Sequence, residues 1–154
     1  MKVLLSIVGL FLSLVSGYGF AAPKLEVTNR HETVVLEWAD LEALPQTTIQ
    51  TTSPYFEGSV EFSGPTLQAV IDQVGLSGES EMTLIALNDY RVSGSVNELL
   101  SLDAIVATRR NGKAMSVRQR GPFWLMLPMS DRPELDHEDY HRFMVWQLQR
   151  IKLQ

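Results

Sequence analysis

The sequence contains no cysteine. That excludes disulfides, a thiolate metal ligand and a lipid-modified N-terminal cysteine. Long apolar runs are also scarce, and the one that stands out is Val3 to Val15, behind a single charge at Lys2 and ahead of the small residues Gly19-Phe20-Ala21-Ala22-Pro23. A short charged start, an apolar stretch and a small-residue exit make up a secretory signal, with cleavage expected after Ala21. The competing reading is a membrane anchor, but the run falls short of the roughly 20 apolar residues a span needs. An Arg-Arg pair is missing as well, and Lys2 stands alone. Export of an unfolded chain and a periplasmic location follow as expectations, with no stable membrane span after cleavage.

Positive charge is in short supply. Without residues 1–21 the chain keeps 12 Lys plus Arg against 18 Asp plus Glu, a net charge near -6. Nothing in that balance suits nucleic acid. No Gly-x-Ser-x-Gly, phosphate-binding loop or dinucleotide fingerprint is present, so hydrolytic and nucleotide chemistry have no support. Repeats and low-complexity linkers are absent too, which makes residues 22–154 one domain of a size that buries its own core.

What is present is mostly strand. Leu25 to Asn29 and Thr33 to Trp38 read as strands around a turn at Arg30-His31, and Ala39 to Leu44 as a short helix stopped by Pro45. Gln46 to Ser53 and Phe56 to Phe62 read as two more strands. Pro65 opens a helix in which Leu67, Val70, Ile71 and Val74 recur at helical spacing, and Gly75 ends it. Met82 to Leu87 is a buried strand, Arg91 to Val96 its partner, and Asn97 caps a helical turn through Leu102. Ala104 to Arg110 and Lys113 to Gln119 flank Asn111-Gly112, a strong hairpin signal. Phe123 to Met129 reads as a buried strand, Pro133 to Tyr140 as an acidic loop or helix, and Phe143 to Leu153 as strand or helix. The expected class is mixed α+β.

Several segments, in order, carry a resemblance. Phe62-Ser63-Gly64-Pro65-Thr66-Leu67-Gln68-Ala69-Val70-Ile71, Ala86-Leu87-Asn88-Asp89-Tyr90, Ile105-Val106-Ala107 with Asn111-Gly112-Lys113-Ala114-Met115, Arg120-Gly121-Pro122 before Leu125 to Pro128, and Val145-Trp146 to Ile151 together resemble the sulfite-oxidase-type molybdopterin-binding domain. The match runs from about residue 46 to the end. The resemblance implies that family's strand-rich fold, a cleft for a phosphorylated pterin and, in the enzymes, a cysteine on molybdenum about a dozen residues before the aromatic-x-Gly segment. Here Thr51 or Thr52 stands at that place. A threonine hydroxyl is hard and neutral, whereas this metal centre takes a soft thiolate. The resemblance also implies cofactor insertion before export, and a chain threaded unfolded would arrive empty.

Two constellations could carry chemistry. His137-Glu138-Asp139-Tyr140-His141 matches His-Glu-x-x-His, but the 13 residues after His141 supply no third ligand, so a solvated acidic loop is expected rather than a zinc site. Arg109, Arg110, Lys113, Arg118 and Arg120 supply five of the 12 remaining positive charges, with no acid between them. If Asn111-Gly112 is a two-residue turn, alternation puts Arg109, Arg118 and Arg120 on one face, either as an anion cleft or as a solvated surface with Arg120 paired to Asp103. Asn88-Asp89-Tyr90 is either a ligand-binding strand end or an ordinary turn. Trp38, Trp124 and Trp146 are expected as core anchors.

The reading is a periplasmic, non-catalytic binding or signalling accessory module with a molybdopterin-binding-like fold, taking a small anionic ligand or a protein partner. Its expected ligand-contact residues are Thr51, Thr52, Asn88, Asp89, Tyr90, Arg109, Arg118, Arg120, Gly121 and Pro122. No metal ligand and no cofactor are expected. The alternative is a molybdopterin-dependent oxidoreductase with an atypical metal site.

Overall fold

The computed structural model describes residues 21–154, so the expected signal segment lies outside the described residues save for Ala21. The first strands, β1 (Lys24–Thr28) and β2 (Thr33–Glu37), pair antiparallel with Leu25 opposite Leu36. Asn29 makes their turn. Its Oδ1 accepts from the backbone N–H of His31 at 2.8 Å and Glu32 at 2.9 Å, while its Nδ2 donates to the carbonyls of Val74 and Gly75. One buried amide thus replaces water for four backbone groups. Helix α1 (Trp38–Ala43) starts one residue earlier than expected, because Glu37 and Asp40 form a reciprocal capping box.

Strands β3 (Thr47–Ser53) and β4 (Phe56–Gly64) form the next hairpin. Gly64 is required at its end, since a Cβ there would overlap the Val106 carbonyl. Helix α2 (Leu67–Ile71) is capped by the Thr66 hydroxyl, which accepts from Ala69 N–H at 3.1 Å, and it buries Leu67, Val70 and Ile71. Strand β5 (Glu81–Ala86) is buried at every position after Glu81, as its continuous apolar run predicts, and pairs with β6 (Arg91–Ser95). Helix α3 (Val96–Leu100) is capped by Ser95, not Asn97: the Ser95 hydroxyl accepts from Glu98 N–H at 3.0 Å.

Strand β7 (Ile105–Ala107) leads into β8 (Arg109–Arg110) and β9 (Lys113–Ala114), paired as Arg109 with Ala114 and Arg110 with Lys113. The expected strand to Gln119 does not form. Residues Val117–Gln119 make a 3-10 turn, boxed by Ser116 and Gln119, and Arg120 follows at φ 70°. Strand β10 (Trp124–Met126) is confined to the three residues that face β7. After the short helix α4 (Glu138–His141), the chain closes with β11 (Leu148–Leu153). The C-terminal segment is therefore irregular to Gln147 and strand beyond.

The sheets are β2-β1-β11-β5-β6, β3-β4-β8-β9 and the pair β10-β7, with β1 and β11 parallel and all other pairs antiparallel. This is the strand-rich mixed α+β arrangement expected. A single apolar cluster links all three sheets, with Phe62, Phe123, Trp124 and Phe143 fully buried in it. Each such side chain stabilises the fold by roughly 1.5–3 kcal/mol relative to exposure. Among the described residues, no helix is long and apolar enough to cross a membrane.

Candidate functional site

The arginines that alternation would align are separated. Arg109 lies against α1, where its Nε donates to Glu42 Oε2 at 3.1 Å and its guanidinium sits 4.8 Å from the Trp38 ring centre. Arg118 is exposed on the 3-10 turn. Arg120 enters a ring of aromatics, 4.9 Å from the Trp146 centroid, 5.4 Å from Trp124 and 5.7 Å from Tyr55, and its Nη1 donates to the Tyr55 carbonyl at 2.9 Å. The shared face fails because the hairpin ends at Ala114 and the left-handed turn at Arg120 swings that side chain inward. Asp103 does not partner Arg120 either; it pairs with Arg132 at 2.9 Å.

Thr51 is fully buried between sheets. Its hydroxyl lies 2.9 Å from the Leu127 and Thr52 carbonyls and accepts from Met129 N–H at 3.0 Å. That oxygen is already committed to joining β3 to the segment after β10. Thr52 is exposed, and neither hydroxyl offers a soft anionic donor. The donor set therefore does not fit the molybdenum centre that the resemblance implies. Gly121 and Pro122, joined by a cis bond, pack beneath Met115, where a Cβ on Gly121 would meet the Met115 carbonyl.

The two histidines are held apart in role. His137 caps α4 through Nδ1, and His141 Nε2 meets Asp136 Oδ1 at 2.8 Å. Among the described residues no group of three or more His, Cys, Asp or Glu could hold a metal ion.

Asn88 and Tyr90 do come together in a pocket of about 190 Å³, with Tyr55, Arg142 and Trp146 as its other walls and the buried Ala86, Met144 and Val145 completing it. Asp89 sits at the turn with φ 65°, so Asn88-Asp89-Tyr90 is both a turn and part of a cleft lining. Trp124 is the core anchor expected, its Nε1 donating to Met144 O at 3.2 Å. Trp146 is not wholly core: it is partly buried, lines the pocket and meets Tyr55 edge-on at 5.0 Å. Trp38 is likewise only partly buried.

Electrostatically the pocket is one-sided. Among the described residues Arg142 is its one charged lining residue. The Arg142 Nε donates to the Asp139 carbonyl at 2.8 Å and its guanidinium lies 4.4 Å from the Phe143 centroid, while its terminal nitrogens make no hydrogen bond among the described residues. Burial first, and Tyr90 second, raise the Tyr55 phenol above its usual pKa against the opposing pull of Arg120, so it stays neutral and donates to the His141 carbonyl at 3.2 Å. Arg120 backs the aromatic wall from behind. Gln147, at φ 51°, ties the rim together: its N–H donates to Arg120 O, its carbonyl accepts from Leu87 N–H, and its side chain donates to Val117 O.

Tyr55 and Arg142 went unread in the sequence. Tyr55 follows Pro54 in a hairpin turn, and Arg142 is a lone base between an acidic loop and an apolar run; neither context is distinctive. Only the fold brings residues 55, 88 to 90 and 142 to 146 side by side.

No family model matches this chain, and no curated protein matches it. Among solved structures, the sulfane dehydrogenase SoxCD from Paracoccus pantotrophus is similar, with a TM-score of 0.65 and 17% identity, over 85% of this chain and 38% of that one. The chain thus spans well under half the length of the enzyme chain it overlays. At that identity the likeness is one of fold.

Proposed function

We propose that this chain is a non-catalytic binding module of the exported compartment, a distant relative of the sulfite-oxidase-type domain that recognises an anionic group at the Tyr55–Trp146 pocket. The observation that carries the reading is the meeting of Arg142, whose terminal nitrogens make no hydrogen bond among the described residues, with two tyrosine rings and an indole in a pocket whose described lining holds no acid. Guanidinium terminal nitrogens suit carboxylate or phosphate, and rings accept the flat or apolar body attached to it. Catalysis through molybdenum is disfavoured because the Thr51 hydroxyl is spent on Leu127 and Met129 and no thiolate exists.

The second reading is a molybdopterin-dependent oxidoreductase, supported by the fold shared with a sulfane dehydrogenase. Thermal shift with phosphate- and carboxylate-bearing compounds tests the first. A ligand at about 100 times its Kd should stabilise the wild type by about 2.7 kcal/mol, and Arg142→Ala should abolish the rise. A flat response across the series would sink the binding reading. Elemental analysis near one molybdenum per chain would instead establish the second.

A further inference from the structure

We propose that the Tyr55–Trp146 pocket is a socket for one aromatic side chain of an acidic segment of a partner protein. The inference rests on the binding reading above and names its occupant. Size comes first. Pockets that engulf free ligands of drug size run from about 300 to 1,000 Å³, and this one offers about 190 Å³. That is room for a single ring-sized group, as in the anchor pockets at the centre of protein interfaces.

The surroundings of the mouth are the second observation. Tyr90, which lines the pocket, is 48% exposed, and Leu87, 44% exposed, stands in the chain between the lining residues Ala86 and Asn88. Isolated exposed apolar residues mean little, but two on the turn that walls one pocket make a surface that a small ion would leave uncovered. Two residues next to lining residues in the chain, Asp89 before Tyr90 and Gln147 after Trp146, have positive φ without being glycine. Such residues persist where the neighbouring structure holds them, and they concentrate at recognition sites.

Charge selects the segment. Arg142 lines the pocket, Arg91 adjoins the lining residue Tyr90 in the chain, and neither has an ion-pair partner among the described residues. Of the nearby acids, Asp139 faces His137 and Asp89 tips the β5–β6 turn. A ring flanked by carboxylates fits this arrangement and a basic segment does not.

The test follows NMR shifts of the chain from residue 22 on titration with capped Asp-Phe-Glu, Asp-Ala-Glu and Lys-Phe-Lys peptides, benzoate and inorganic phosphate, up to about 10 mM. Asp-Phe-Glu is expected to bind at least about tenfold tighter than the other four, with shifts centred on Tyr90 and Trp146. Leu87→Asp should weaken it about tenfold while leaving benzoate unchanged. Benzoate or phosphate binding as tightly as Asp-Phe-Glu, with Leu87→Asp silent, would overturn the socket and leave small-anion binding standing. If no probe binds, both readings fall.

Discussion

The hairpin at residues 109–114 and the wall at residues 142–146 each carry arginine beside an aromatic ring, yet they put it to opposite uses. Arg109 rests on Trp38 and is bound by Glu42, which also accepts from the buried Thr108 hydroxyl. Arg142 rests on Phe143 and, among the described residues, donates to one backbone carbonyl, with its terminal nitrogens left over beside a pocket. A cation paired by a partly buried carboxylate fastens α1 to β8. One paired by a single carbonyl keeps capacity for an outside anion. Density of charge along a sequence is thus a poorer guide to a binding site than the state of each charge's partners.

Arg120 stands between these cases, and its removal should break the comparison most severely. It contacts three rings and donates to Tyr55 O, so Arg120→Ala strips support from the aromatic wall as well as one charged hydrogen bond. Cation–π contacts of about 0.5–2 kcal/mol and a charged hydrogen bond of about 1.5–3 kcal/mol give a combined loss of about 3 kcal/mol, given their overlap. Urea unfolding should show this, along with altered Trp fluorescence. A loss below about 0.5 kcal/mol, the level of a surface substitution, would mean that Arg120 is solvated rather than inserted.

Arg109→Ala should cost less, about 1 kcal/mol, because both partners keep some contact with water and exposed pairs are worth little. A double-mutant cycle with Glu42→Gln isolates the link. Coupling indistinguishable from zero would erase the distinction between the fastened and the free arginine.

Local chemistry made much of the fold legible in the sequence. The Asn111-Gly112 turn gives the right pairing, the spacing of Leu67, Val70 and Ile71 marks α2, and the apolar run after Glu81 is a buried strand. Errors arose where two local signals compete: Ser95 rather than Asn97 caps α3, and the Ser116–Gln119 box overrides strand alternation. The site was half legible. Asn88 and Tyr90 share a turn and could be read together, but Tyr55 and Arg142 lie 87 positions apart and meet only through tertiary packing.

The smallest effect should come from Arg118, which hairpin alternation would place on one anion-binding face with Arg109 and Arg120. In the structure it is exposed on the 3-10 turn, with no hydrogen bond or ion pair from its side chain among the described residues. Arg118→Ala should therefore change stability by less than about 0.5 kcal/mol, as surface substitutions away from specific features do. Arg142→Ala should cost little more in urea, since it forfeits one exposed bond to Asp139 O and an exposed contact with the Phe143 ring of about 0.5–1 kcal/mol, yet it should remove the anion-induced rise in melting temperature that Arg118→Ala preserves. The pair is informative because both lose one positive charge, so long-range electrostatics falls equally on each and any difference reports local geometry. Equal losses of anion binding in the two variants would show that the pocket draws its ligand by diffuse positive potential, and that the free guanidinium of Arg142 has no special place in it.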